Sequence, residues 1–502
     1  MRFYFFSSVS LIILFFMSSC YKEEVIFDNF PDEQLELPRI LAFNHKHCFF
    51  DVNSNSFSFA IPEDSMVNFS PFVQFQEHSS ILINDITLTN NSVNNLGTIR
   101  IKNTYSISIT TKGKTKHFTL RFTTLPILRI VTRSKIMNEP KSLARLTVNA
   151  PNGNSATTTS LIGIELRGAS SQFNPKKSYG FSFLQSRNLD NRVSKSLLGC
   201  KKNESWILDA TYNDRAKFRN KLSFELWRDM DPIEHISIKS QFVELYINND
   251  YQGLYCLNEQ INAEQLGLLN SNGVLYKSVD WRSGTTFQHL ASKDPPKYTD
   301  FWDGWVQKHP KPTNKIKWQP LYDLRNWVIN QTDEEFVQNT ADYIDLENII
   351  DYCLFINLIG ANDNHGKNMI WVSPRDNSPF FIVPWDLDTS WGRDWDGSSA
   401  SPDIVRIYNN KLFKQLLVLN PQNFRQRLKI KWNNLRQNNW SNANIQALLN
   451  DNVKALTQID IIQQENIRWD RNINLQQEQI YMQDWLVNQL NLLDTYFNEM
   501  QD

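Results

Sequence analysis

Between Leu37 and Thr124 the chain is a series of short stretches in which apolar and polar residues alternate, such as FSFAI, ILINDITLT, TIRI and YSISIT, separated by Asn, Ser, Pro and Gly. A period of two predicts strands with one buried face, and small polar residues between them predict turns. Roughly six or seven such strands in under about a hundred residues read as an immunoglobulin-like β-sandwich over 37–125, whose simplest role is that of a spacer.

Leu125-Pro126 reads as a hinge, after which longer elements appear. Ile127 to Thr132 and Ile162 to Leu166 are strand-like. The latter runs into Arg167-Gly168-Ala169-Ser170-Ser171, a small-residue turn, and Asn174-Pro175-Lys176-Lys177 leads into the strand YGFSF. Farther on, Phe218, Leu222, Leu226 and Met230 recur at the spacing of one helix face. Gln241 to Ile261 reads as a hairpin turning at Asn248-Asn249-Asp250, with Glu259 at the end of its second strand. Beyond Pro402 the pattern is helical and closes on WLVNQLNLLDTYF, with Leu486, Leu490, Leu493 and Phe497 in phase. The pattern as a whole is α+β, with a helical C-terminal lobe.

Composition adds bounds. The 502 residues exceed one ordinary core and favour two or three domains. A net charge of -1 provides no global field for nucleic acid or an anionic surface, so any anion binding must be local. Arg2, the apolar run Leu11 to Met17 and Met17-Ser18-Ser19-Cys20 resemble a bacterial lipoprotein signal over 1–20, followed by a linker over 21–36. Cys20 would then be lipidated, anchoring the chain in the cell envelope. Lys22-Glu23-Glu24 resembles the surface-export tag of Bacteroidota lipoproteins, which would place the protein at the outer membrane, exposed at the surface; the alternative is an ordinary secretory peptide with an incidental Cys. Cys48, Cys200, Cys256 and Cys353 lack zinc spacing and read as buried thiols. Trp281, Trp302, Trp305 and Trp318 fall in a Lys- and Pro-rich stretch that suits either glycan stacking or a core.

The richest chemistry lies between Ile359 and Gly392, where Asp363, Asp376, Asp386 and Asp388 mix with Asn362, Asn364 and Asn368 between apolar runs. Asp363 precedes Asn368 by five residues, the spacing of the catalytic Asp and metal-binding Asn of a kinase loop, and Asp386 follows eighteen residues later. The spacing alone is weak evidence, since Asp85 and Asn90 repeat it inside the N-terminal module. On the upstream side, a small-residue turn beside a Lys-bearing strand suits phosphates. Glu259, if buried, calls for a cation such as Lys176 or Lys177, and is otherwise a rim residue.

These pieces together resemble the CotH kinase family, an atypical protein-kinase-like fold, over 126–502. The matching segments are LRGASSQFNPKKSYGFSF, WILDATYNDRAKFRNKLSFEL, FVELYINNDYQGLYCLNEQI, ANDNHGKN, PWDLDTSWG and DWLVNQLNLLD, in that order. The resemblance implies ATP- and Mg2+-dependent phosphoryl transfer to Ser or Thr of a secreted or surface protein, with Mn2+ or Ca2+ as other possible ions. Asp363 would take the acceptor's proton, and Asn368, Asp386 and Asp388 would hold the metal. Lys177, or its alternate Lys176, would contact phosphates and pair with Glu259. Arg167, Ser170 and Ser171 would cover the nucleotide, with Arg219 and Asn220 supporting the site from behind. Rival readings are a glycan- or calcium-binding adhesin and a catalytically silent scaffold.

Overall fold

The computed structural model describes residues 41–151, 158–290, 294–313, 315–399 and 407–501. The leader, Cys20 and the 21–36 linker lie outside the described residues.

The alternating N-terminal pattern folds into two sheets. One contains Leu41–Phe43, Lys46–His47, Phe72–Phe75 and Ser92–Val93; the other has six strands and includes Ser56–Ala60, Thr104–Thr111 and Lys114–Thr123. The shared core is aromatic, with Phe43 of the first sheet meeting Phe59 of the second edge-on, 5.0 Å between ring centroids. Strands are shorter and more numerous than their alternation predicts because Asn44, Asn55, Asn84 and Asn91 take left-handed turns. Asn tolerates this backbone better than other side chains, so each one ends a strand. Asp85 and Asn90 have no part in a site: Asp85 is exposed, and the Asn90 amide exchanges hydrogen bonds with the Phe75 backbone.

Leu125 is buried and Pro126 accepts a hydrogen bond from Glu244 N, so this connection is packed rather than a free hinge. Seven strands then close a barrel in the order Ile127–Val131, Ser142–Asn149, Thr158–Arg167, Ser178–Phe183, Ser205–Asp209, Asp250–Glu259 and Ser240–Ile247. Closure leaves no open edge, and the interior is filled by Leu128, Ile130, Phe181, Trp206, Val243 and Leu257 among others. The hairpin at Asn248-Asn249 forms as expected, both Asn having positive φ as a two-residue turn requires.

The C-terminal lobe is not purely helical. Val274–Ser278 pairs with Trp305–His309 on one side and Met369–Ser373 on the other, within a five-stranded sheet. Helix Leu346–Leu358 packs on its strand Phe381–Pro384 and against the helices Phe424–Gln437 and Leu475–Asn498, which with Asn442–Thr457 continue to Ile461–Trp469, the helix that lies against barrel strand Asp250–Glu259. Leu486, Leu490, Leu493 and Phe497 are all buried, as are Phe218, Leu222, Leu226 and Met230. Trp302, Trp305 and Trp318 belong to the core, which answers the glycan-stacking reading for those three rings, whereas Trp281 is exposed. The four cysteines from Cys48 onward are buried and free.

Candidate functional site

The acidic stretch folds locally. Leu346–Leu358 delivers a short turn, Asn362–His365, that leads into Met369–Ser373, and Phe381–Pro384 returns antiparallel beside it. Met369 lies opposite Pro384, so Asn368 and the Trp385-Asp386 corner end up side by side. Buried Asn364 fixes that corner, its amide donating to the carbonyls of Asn368 at 3.0 Å and Trp385 at 2.8 Å. Asn368 and Asp386 both adopt left-handed backbone, with φ of 56° and 57°. Two non-glycine residues in this region, adjacent in space, mark a corner held in place by its surroundings, a pattern that concentrates at functional sites.

Asp363 is held from both sides: Trp281 Nε1 donates to one carboxylate oxygen at 3.0 Å, and Lys367 Nζ lies 3.2 Å from the other. The indole can lie this close because residue 366 is glycine, where a Cβ would stand 2.3 Å from the Trp281 ring. Asp376 belongs elsewhere, on an exposed turn paired with Lys317 at 2.6 Å.

The opposite wall comes from the barrel and the helix that follows it. Asn220, in the first turn of helix Arg219–Met230, accepts from Leu387 N at 3.1 Å and donates to Asp209 at 3.2 Å, joining the acidic corner to the barrel. Arg219 is buried, bonding Asp214 at 2.7 Å and the Ser390 carbonyl at 3.1 Å. Asp209, Asp214, Asn220 and Asp388 line a cleft that also reaches Ser171 and Lys176. Ser170 lies in the adjoining turn Ser170–Phe173. Arg167 ends its strand over the Trp385 ring, 5.4 Å from the centroid, and donates to Gln260 at 3.3 Å.

The lysine and glutamate expectations need correction. Lys177 turns back on its own loop, donating to the carbonyls of Gln172 at 2.7 Å and Asn174 at 2.6 Å. Lys176 is the inward lysine, and its partner is Glu465, at 2.6 Å, on helix Ile461–Trp469. Glu259 accepts instead from Lys239 N at 3.0 Å. Lys176 reaches the same strand at the Leu254 carbonyl, and five residues of strand separate that point from Glu259 by roughly 16 Å. No sequence signal distinguished Glu465, one of several polar residues on an amphipathic helix. Asp209 and Asp214 at the cleft and Lys277 over Trp385 were missed as well, because each arrives through pairing of distant strands or turns.

The electrostatics are those of crowded carboxylates. Asp388 is open to the cleft, yet desolvation, followed by repulsion from Asp386, Asp209, Asp214 and Asp363, holds its carboxyl well above the usual range. Burial raises Asp209 too, with Asp386 and Asp214 adding to the shift. Desolvation lowers Lys277 to about 7 despite attraction from Asp386. Like charges this close suit a divalent cation, and the oxygens of Asn368, Asp386 and Asp388 are the hard donors Mg2+ prefers. Among the described residues, no three His, Cys, Asp or Glu side chains form a metal group by themselves. An ion here would therefore need oxygens from water or a ligand, as Mg2+ commonly does.

The chain is similar to known proteins in three comparisons. Residues 164–493 match the family model "CotH kinase protein". "Inner spore coat protein H" of Bacillus subtilis (strain 168) is 24% identical over 247 residues, covering 49% of this chain and 63% of that protein. The match thus spans less than two thirds of that relative. The crystal structure of a Helicobacter pylori proinflammatory kinase, CtkA, aligns over 62% of this chain and 95% of its own with 11% identity and a TM-score of 0.24. The family model spans well over half the chain and includes the barrel strands from Ser178–Phe183 onward, the Asp363 turn and the Asp386 corner: the chain belongs to the CotH kinase protein family.

Proposed function

We propose that this protein is an atypical kinase that transfers a phosphoryl group from Mg·ATP to a Ser or Thr hydroxyl of another protein. The observation that carries this reading is the gathering of Asp363, Asn368, Asp386 and Asp388 at one acidic corner, with Asp388 at the cleft and Arg167 of the barrel near Asp386. In the proposed reaction the acceptor oxygen attacks the terminal phosphorus, the bond to the ADP oxygen breaks, and Asp363 takes the hydroxyl proton. Asn368, Asp386 and Asp388 would hold Mg2+, which would neutralise charge on the phosphates. With Trp281 and Lys367 on its two oxygens, the Asp363 carboxylate has a defined orientation for accepting that proton.

We further propose that Cys20 carries the lipid anchor, that the protein faces the outside of the cell envelope, and that the sandwich is immunoglobulin-like. These points rest on the leader motif and strand pattern. The kinase reading is tested by incubating the protein with Mg·ATP and candidate surface proteins and following melting temperature and phosphate incorporation. D363N should keep the nucleotide-dependent melting shift and lose transfer, whereas D386N should lose both. A wild-type protein whose melting is indifferent to Mg·ATP would end the kinase reading.

A further inference from the structure

Lys177 is engaged on its own loop and Lys176, at the cleft, is shared with Glu465, so further positive charge for the site comes from other residues. Two cations do converge on the Trp385-Asp386 corner beside it. Lys277 lies on Val274–Ser278, a strand with neighbours on both sides, opposite Ile370 and thus close in register to Asn368. Its ammonium stands 4.6 Å from the centroid of the Trp385 ring. Arg167 approaches the same ring from the barrel, at 5.4 Å.

This arrangement is costly without a ligand. A desolvated ammonium normally acquires a carboxylate or several hydrogen bonds. Among the described residues half-buried Lys277 forms no ion pair within 4.0 Å and no hydrogen bond, and the indole face offsets only part of its lost hydration. Arg167 and Lys277 also repel each other, and Lys308 and Lys367 add to the local positive field. Asp386 attracts both cations but sits at the corner that the site reading assigns to a metal. An extended anion with several oxygens would meet both cations from one side and a metal at Asp386 from the other.

We propose that Lys277 and Arg167, stacked on Trp385, form the phosphate-contacting wall of the cleft and bind the polyphosphate chain of a nucleoside triphosphate. This deepens the kinase reading and rests on it for the nucleotide, while the wall itself is defined by polyphosphate chemistry. Lys176, by contrast, fastens the barrel to helix Ile461–Trp469.

The test is calorimetric titration of the full chain, as wild type, Lys277→Met and Lys277→Arg, with Mg·ATP and separately with magnesium tripolyphosphate. The wild type should bind both, K277M should bind each at least tenfold more weakly, and K277R should recover part of the loss. K277M should melt no lower than wild type, because it removes a half-buried charge that no ion pair or hydrogen bond holds. If K277M binds ATP as tightly as wild type, the wall is wrong and the kinase reading stands. Tripolyphosphate binding without ATP binding would keep the wall and end the nucleotide reading. Equal tripolyphosphate affinity with a markedly lowered melting temperature would make Lys277 a structural cation and overturn the proposal.

Discussion

Lys176 and Glu465, 289 positions apart, meet at 2.6 Å with neither side chain exposed, and Lys217 approaches the same carboxylate at 3.7 Å. Glu465 also accepts from Leu254 N at 3.1 Å, which is possible because Gly253, at φ +89°, has no Cβ: one there would stand 2.2 Å from its Oε2. One carboxylate on the Ile461–Trp469 helix therefore fastens the barrel to the C-terminal lobe.

Removing that carboxylate leaves two buried ammoniums, whereas removing Lys176 leaves Glu465 with Lys217. E465Q should accordingly cost about 3–5 kcal/mol and K176M less. Denaturant titration of both variants and of the double variant K176M/E465Q checks this, and the coupling should be well above 0.5 kcal/mol. Equal costs for the two single variants would contradict the shared-carboxylate geometry. G253A, which combines a left-handed backbone with the clash, should be at least as damaging as E465Q.

The sandwich is wired into the barrel. Arg121, on Lys114–Thr123, pairs with Glu244 of Ser240–Ile247 inside the protein, reaches Asp460 at 3.4 Å, and Tyr251 donates to Glu244 at 2.8 Å. Arg121 holds Glu244 below the usual carboxylate range against the opposing effect of burial. R121M should therefore destabilise both parts, by about 3–5 kcal/mol, in a single cooperative transition. Two transitions, with only the N-terminal one shifted, would show that the sandwich is an independent spacer.

Trp281 bears on chemistry more than on stability, since its ring is exposed and its N–H holds Asp363. W281F keeps an aromatic ring, smaller than the indole, and removes the donor. It should lower kcat for transfer by about tenfold, the value of one well-placed hydrogen bond of roughly 1.4 kcal/mol, with KM for ATP little changed. A change confined to KM would place Trp281 in nucleotide binding instead.

Lys217 supplies a pH dependence. Burial lowers its ammonium from the ordinary 10.5 to about 8, although Glu465 opposes the shift. Between these values the unfolded chain holds this proton more often than the folded one, so the contribution of Lys217 to stability rises as pH rises. Wild type should gain stability relative to K217M between pH 7.5 and 10, by on the order of 1–3 kcal/mol, measured by urea unfolding. A difference that stays flat or shrinks would contradict the depressed value.

The sequence by itself determined what depends on neighbours a few residues away. The helix faces at Phe218 to Met230 and Leu486 to Phe497, the Asn248-Asn249 turn, and the proximity of Asp363, Asn368, Asp386 and Asp388 all follow from periods of two or 3.6 and one short hairpin. Tertiary structure decided the rest. Alternation sends Lys176 and Lys177 in different directions without saying which is inward, and only the arrival of Glu465 under Gly253 settles it. Closure of the barrel, the burial of Trp302, Trp305 and Trp318, and the meeting of Arg167 with Lys277 over Trp385 each join segments roughly a hundred residues apart or require the complete sheet. Local periodicity holds no information about such encounters, because it records which face of an element is apolar and not which distant element will cover that face.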